Sequence, residues 1–336
     1  MLLTIKGKTF NFIGDPHMGK KFSDVPLHRR GERERMQLDE LRLQLNTPCD
    51  FNINVGDLFD TWDVDNAVLM DVYEAYKEAV ANNPDTIFIT ISGNHDISRN
   101  GDTIHSFDVL KEMLRTFQPQ VKIHTETFAY MTDEVKLLFC PYSAFKTSNE
   151  EVSPYITAAL AEEYMFDLVV GHWDVGTIAG PDNLVPKDEL FKVTDIIVTG
   201  HEHTAAEFKF GDKRLYKTGS MQPYSHGEDP NGEFYVTVTL EQLNASLAAD
   251  VGCYHNKAVR LVLSPEENPP GDIDCLQFAV KRIDTSIAEI YKANLDEDFS
   301  FNKIFAETFA ENGLDEVVTD KYFQLYKQEA SNVEYT

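Results

Sequence analysis

The chain has 336 residues, 42% of them hydrophobic and 26% charged, with 56 acidic against 30 basic side chains and a formal net charge of −26. That charge argues against unaided binding to a polyphosphate, which ordinarily leaves a basic footprint, unless divalent cations or a basic partner offset it. The composition excludes a low-complexity chain, and no apolar run approaches the length of a membrane span.

The opening stretch MLLTIKGKTFNFIGD lacks the regions of a signal peptide and reads as a first strand, so the expected location is the cytoplasm. Strands are predicted at 9–14, 51–56, 86–92, 135–140, 167–171 and 195–199, each short and rich in Val, Ile or Phe. Helical patterns lie between them near 32–45, 66–82, 103–117 and 152–165. This alternation predicts a layered α/β domain. After residue 206 the stretches AEFKF, KRLYKTG and EFYVTVTL read as antiparallel strands, and a boundary is predicted near 246–256. Two helical stretches, near 286–311 and 315–329, close the chain. The four cysteines, Cys49, Cys140, Cys253 and Cys275, show no C-x-x-C spacing and are read as buried or free thiols.

Five strand ends run into loops that combine glycine with Asp, Asn or His. In order these are GDPHMG with Asp15 and His17, GDLFD with Asp57 and Asp60, GNHD with Asn94, His95 and Asp96, GHWD with His172, and GHEH with His201 and His203. Sites in α/β sheets form where strands end, and glycine there allows tight turns. Each piece alone is weak, since a loop Asp is ordinarily a cap or a solvated charge. His105, His124 and His255 are accordingly read as structural or surface residues. Five such loops in succession are poorly explained by chance. The donors are carboxylate, imidazole and amide oxygen without thiolate, a set that suits Mn²⁺, Fe or Zn²⁺. They are too many for one ion, and two ions sharing a carboxylate would use them well.

In order and spacing the five loops resemble the signature of the calcineurin-type metallophosphoesterases, over roughly residues 13 to 204. The resemblance implies a four-layer α/β/β/α sandwich with a small C-terminal cap and helical segment. It also implies that Asp15, His17 and His203 hold one divalent ion and that Asn94, His172 and His201 hold a second. Asp57 bridges the two, and Mn²⁺ is the favoured metal, with Mg²⁺, Fe or Zn²⁺ as alternatives. His95 would face the scissile phosphate, with Asp96 as its orienter.

Two further stretches, NVGDLFDTWDV and LYKTGSMQPYSHGED, are similar to those of SbcD-like DNA repair nucleases, including forms encoded by large bacteriophages. That similarity implies a DNA exonuclease or endonuclease subunit acting in repair, recombination or degradation, in the host cytoplasm if phage-encoded. The implied partners are DNA, an SMC-like ABC ATPase docked on the C-terminal helices, and a second copy of the chain. The expected division is a nuclease domain over 1–248, a capping region over 249–285 and a docking segment over 286–336. The runner-up reading is a phosphodiesterase or phosphatase acting on small molecules or proteins, and a third is a non-catalytic scaffold.

Two stretches stay open. Arg29, Arg30 and Arg33 in HRRGERER either contact DNA or belong to a solvated helix start, and the solvated start is favoured because Glu32 and Glu34 intersperse with them. Tyr224 and His226 either line a substrate groove or pack within a structured loop.

Overall fold

The computed structural model describes residues 1–100, 103–175, 183–229, 231–271 and 273–283. The first half of the chain builds a five-stranded sheet in the order β1-β2-β3-β4-β5. Its strands are β1 (Leu2–Ile5), β2 (Lys8–Ile13), β3 (Phe51–Asn54), β4 (Ile87–Ile91) and β5 (Val121–His124). Three helices connect them: α1 (Glu32–Leu45), α2 (Asn66–Asn82) and α3 (Ser106–Leu114). The chain then crosses to a second sheet made of β6 (Phe128–Met131), β7 (Lys136–Cys140), β8 (Leu168–Gly171), β9 (Ile196–Thr199), β10 (Ala206–Phe210) and β11 (Lys213–Lys217). Helices α4 (Ser148–Ala161) and α5 (Lys187–Leu190) cover that sheet.

The layering follows from the period of the strands. In β2, Phe10 and Phe12 point into the core between the two sheets, where they meet Phe51, Ile53, Phe139, Val170 and Val198. The alternate positions carry Asn11 and Asn52, which face α1. Their amides donate to the Gln44 carbonyl at 3.0 and 2.9 Å, adding to the Thr47 amide that meets this acceptor in the last turn of the helix. Buried asparagines in a strand are therefore helix anchors here. A second core lies between the first sheet and α1–α3, and a third between the second sheet and α4–α5. The result is an α/β/β/α sandwich. Phe12 is 1% exposed, so truncating it to alanine should cost about 3–5 kcal/mol.

The helix predicted over 152–165 begins earlier, at Ser148. Thr147 accepts from the Glu150 amide, and the Glu150 carboxylate accepts from the Thr147 amide, a capping box that fixes the start. The third strand read as antiparallel behaves differently as well. β12 (Tyr235–Thr239) pairs in parallel with β13 (Ala258–Leu263), which pairs in parallel with β14 (Gln277–Arg282). Helix α6 (Leu240–Ala249) makes the first crossover and buries Leu243 against Leu261 and Leu263. The small sheet has a core of its own. It therefore starts at β12, ahead of the boundary expected at 249. The two C-terminal helices expected within 286–336 lie outside the described residues.

Arg29 and Arg33 correct the reading of HRRGERER. Both are buried, at 5% and 1% exposure, so neither is solvated nor presented to a strand of DNA. Arg29 donates to Asp274 at 2.7 Å and to the His255 carbonyl at 2.9 Å, clamping the small sheet to the start of α1. The Arg33 guanidinium lies between the rings of Phe22 and Phe234, 4.4 and 4.3 Å from their centroids. It also donates to Gln222 and to the Pro223 carbonyl. Arg30 stays exposed.

All four cysteines are free thiols. No helix among the described residues is long and apolar enough to cross a membrane.

Candidate metal centre

The parallel strands of both sheets end on the same side of the sandwich, and the five glycine-containing loops meet there. They bring together Asp15, His17, Asp57, Asn94, His172, His201 and His203. Asn94 Oδ1 lies 3.0 Å from His172 Nε2 and 2.8 Å from His201 Nδ1, and those two nitrogens are 3.3 Å apart. On the other side, His17 Nε2 and His203 Nε2 face each other at 3.0 Å. Asp57 Oδ2 stands between the two groups, 3.4 Å from His172 Nε2 and 3.7 Å from His17 Nε2. Separations near 3 Å are the edges of a coordination shell whose bonds are about 2.0–2.2 Å long. Two donor groups that share Asp57, one through His17 and His95 and one through His172 and His201, are compact enough to hold an ion.

Each histidine of the cluster has its far nitrogen turned to an acceptor. His172 Nδ1 donates to the Val55 carbonyl at 2.9 Å. His201 Nε2 faces Asp174 at 3.1 Å and His203 Nδ1 faces Glu228 at 3.2 Å, while His17 Nδ1 lies 3.4 Å from Asp60 without a hydrogen bond. An imidazole that donates outward keeps its inner nitrogen unprotonated and aimed at the centre, the arrangement a metal-binding histidine needs. Asp15 completes the set. It is fully buried, its Oδ1 accepts from the His201 amide at 3.2 Å, and its Oδ2 has no hydrogen-bond partner. A buried carboxylate oxygen left without a donor is costly unless a cation meets it. The donor set and this orphaned oxygen fit a pair of divalent ions.

Electrostatics without a cation show the same strain. Burial pushes Asp15 up to about 7. Burial would also raise Asp57, but the neighbouring His172 and His17 pull it below the usual carboxylate range. Burial would lower His172, yet the Asp57 carboxylate raises it to about 9. Burial, with His172 nearby, holds His201 down at about 4. One protonated imidazole thus offsets carboxylates that divalent charge would balance more fully.

The loop backbones are strained to reach this geometry. Asp15, His17, Asp57 and His201 have φ of 32°, 47°, 49° and 79°, values that cost about 1–3 kcal/mol each outside glycine. The glycines serve mainly to make room, more than to turn the chain. A Cβ on Gly93 would stand 2.1 Å from Asp57 Oδ1, and one on Gly56 would stand 2.2 Å from His172 Nδ1. Gly56 alone of this pair also needs its positive φ of 112°.

His95 is exposed beside the cluster, its ring edge-on to His17 at 4.7 Å between centroids. Its amide donates to Asp57 Oδ1 at 2.9 Å, and its Nδ1 donates to the Asp60 carbonyl at 2.6 Å. The ring is therefore held by Asp60. Asp96, expected to orient it, instead accepts from the amides of Leu58, Phe59 and Gly93 and ties two of the loops together. Several supports surround the cluster, of which the sequence reading named only Tyr224. Tyr224 is buried and sets its hydroxyl on the carbonyls of Pro16 and Asp15, beneath His17 and His203. Gln37 donates to the carbonyls of Pro16 and His17 at 2.8 and 2.7 Å. Glu228 holds His203, and Asp174 holds His201. Tyr224 thus takes the packing role, while His226 is partly exposed in a short turn.

Residues 8–205 match the family model of the calcineurin-like phosphoesterases, a span that holds all seven candidate ligands with His95 and Asp96. No curated protein matches the chain. Among solved structures, the chain is similar to GAP50, the anchor in the inner membrane complex of Plasmodium, with 15% identity and a TM-score of 0.39 over 63% of this chain and 71% of that one. A putative 5'-nucleotidase from Staphylococcus aureus shows 14% identity and a TM-score of 0.40 over 63% of this chain, which spans about half (48%) of that protein. A dimetal phosphatase from Danio rerio shows 11% identity and a TM-score of 0.41, over 63% of this chain and 87% of that one. Likenesses at this level bear on neither substrate nor mechanism.

Proposed function

Because the chain belongs to the calcineurin-like phosphoesterase family, a metal-dependent class of phosphoester hydrolases, we propose that its substrate is DNA and that it is an SbcD-like nuclease subunit. The observation that carries this reading is the segment Tyr216–Asp229, whose sequence resembles that of the DNA repair nucleases. Its Tyr224 and Glu228 are built into the support of Asp15, His17 and His203. An open trough leads away from Asn94 and His201, a form that suits a chain passing by the site.

In this reading Asp15, His17 and His203 hold one divalent ion, Asn94, His172 and His201 hold the other, and Asp57 spans both. When bound, such a pair supplies an activated water and positive charge for both oxygens of an in-line displacement at phosphorus. The chain's own residues do the rest. The second-layer acceptors Val55, Asp174 and Glu228 fix which imidazole nitrogen points inward. His95, held at Nδ1 by the Asp60 carbonyl, presents Nε2 outward, where it meets the phosphate and donates a proton to the leaving oxygen. The O and N donors suit Mn²⁺, Fe or Zn²⁺, and the resemblance to the nucleases favours Mn²⁺ among them.

The net charge of −26 fits a subunit that leaves most phosphate contacts to a partner. That partner is an SMC-like ABC ATPase docked on 286–336, and the chain pairs with a second copy of itself. The test is a substrate panel with Mn²⁺: end-labelled DNA with and without the ATPase, nitrophenyl phosphates and cyclic nucleotides. Cleavage of DNA, lost with chelator, is the expected result. Hydrolysis of the small esters with intact DNA would transfer the same site to the phosphatase or small-molecule phosphodiesterase reading.

A further inference from the structure

We propose that the trough beside Asn94 and His201 binds an unpaired DNA strand by stacking one of its bases on Phe145; the proposal rests on the nuclease reading. The trough has a volume of about 620 Å³ and is bordered at one end by Asn94 and His201. It continues past Tyr142, Phe145 and Lys146 into a second hollow of about 760 Å³ that reaches His105 and Tyr155. The two hollows share Tyr142, Phe145 and Lys146 and so form one continuous channel.

Phe145 is the feature that folding does not explain. It is 70% exposed and belongs to none of the apolar cores. Its backbone is nonetheless fixed. Ser143 Oγ accepts from the amides of Phe145 and Lys146 at 3.3 and 3.2 Å. The Tyr142 amide donates to the Ser92 carbonyl at 2.9 Å, tying this loop to the strand end that carries Asn94. A large apolar ring is thus held open to water on a braced loop, next to the candidate metal ligands. Every nucleobase offers a π-face, and an aromatic platform accepts it whatever the sequence. Duplex DNA keeps its bases stacked on one another, so the platform selects unpaired strand or a frayed end.

The charges in the channel are consistent with such a ligand. Most of its carboxylates are engaged within the protein: Glu150 caps α4, Glu151 accepts from Thr127 at 2.5 Å, Asp108 pairs with His105 and Asp174 faces His201, while Glu126 lines the far hollow. Lys146, its side chain 64% exposed and its Nζ 3.8 Å from Glu151, lines the same trough as Arg99, and the two are placed to meet phosphates flanking the stacked base.

The test uses the full-length protein with Mn²⁺, comparing wild type, Phe145→Ala and Phe145→Trp. Substrates are a single-stranded oligonucleotide, a series of the same oligonucleotide with one abasic nucleotide moved along it, and bis(nitrophenyl) phosphate. Phe145→Ala should raise KM for the oligonucleotide about tenfold or more, leaving kcat and the small ester unchanged. Phe145→Trp should stay near wild type. Wild type should be penalised by an abasic nucleotide at one position, and Phe145→Ala at none. Equal KM for wild type and Phe145→Ala on DNA would overturn the stacking role and leave the nuclease reading standing. A tryptophan variant as impaired as the alanine one would also overturn it. Wild type that hydrolyses the small ester and cuts no DNA would overturn the nuclease reading itself, and this proposal with it.

Discussion

Glu228 Oε1 lies 3.2 Å from Nδ1 of His203, joining a candidate ligand inside the family match to an acid beyond its end at residue 205. Burial would raise the pKa of Glu228, but His203 and the Tyr224 amide hold it at about 2, so the carboxylate is charged at any pH of interest. The pair keeps the His203 Nε2 turned inward. Glu228→Ala should weaken Mn²⁺ binding about 10–100-fold, the usual cost of losing such a support, while Glu228→Gln, whose amide oxygen still accepts, should recover part of it. Titration of the metal-free protein with Mn²⁺, alongside far-ultraviolet circular dichroism, reads both.

Gly93 is predicted to tolerate no side chain. An added methyl would enter the space of Asp57 Oδ1, at 2.1 Å, and push away the carboxylate that both groups of ligands share. Gly93→Ala should reduce bound metal from two ions to one or none, and because the methyl would also stand 2.3 Å from the Asp57 backbone nitrogen, the Asp57 loop must shift with it. Gly271→Ala, where nothing lies within 4 Å, is the control and should keep both ions.

Arg33 should matter for stability in a way its exposed neighbour Arg30 does not. Arg33→Ala removes a guanidinium held between Phe22 and Phe234 and leaves the Pro223 carbonyl and the Gln222 side chain without their donor. Lost cation–π contacts and newly unpaired polar groups together predict a loss of about 2–4 kcal/mol. Arg30→Ala should stay within about 0.5 kcal/mol of wild type. Urea unfolding of the two variants checks the contrast.

His124 gives a pH dependence whose sign is fixed. Burial, reinforced by Lys111 and Lys122, lowers its pKa from 6.5 to about 4. Between those values the unfolded chain binds a proton that the folded chain refuses, so this contribution to stability is full above pH 6.5 and is lost as the pH falls toward 4. The ring is part-exposed, so solvent screening leaves an effect of about 1–2 kcal/mol. His124→Gln should flatten that part of the stability profile between pH 7 and 4.5, measured by urea midpoints. An unchanged slope would contradict the assignment.

Much of the layered fold and the five loops was legible because both depend on local pattern. Strands such as TFNFIG and FNINVG are apolar at one parity, and each ends on glycine followed by a ligand-type residue. The elements that escaped are short or sit at edges. β5 alternates Val and Ile with Lys122 and His124 and so lacks an apolar run, and β6 keeps its side chains part-exposed. The small sheet was misplaced because YVTVT alternates as either an antiparallel or a parallel edge strand would, and only its partner decides.

The supports of the site were hidden for a different reason. Glu228, Tyr224 and Gln37 reach the metal loops only through the fold, with no spacing that marks them. Arg29 and Arg33 misled because acidic neighbours in sequence suggest a solvated face. Their partners in space, Asp274 and the rings of Phe22 and Phe234, come from distant segments.

The most direct test of the central claim is digestion of short end-labelled DNA with Mn²⁺ by wild type beside His95→Ala, with the metal content of both preparations measured. The account predicts two ions per chain in each, cleavage by wild type, and a loss of about 100-fold or more in the variant, the scale of a missing general acid. A variant that cuts as fast as wild type, or a wild type that carries two ions and cuts no DNA with or without the ATPase, would contradict it.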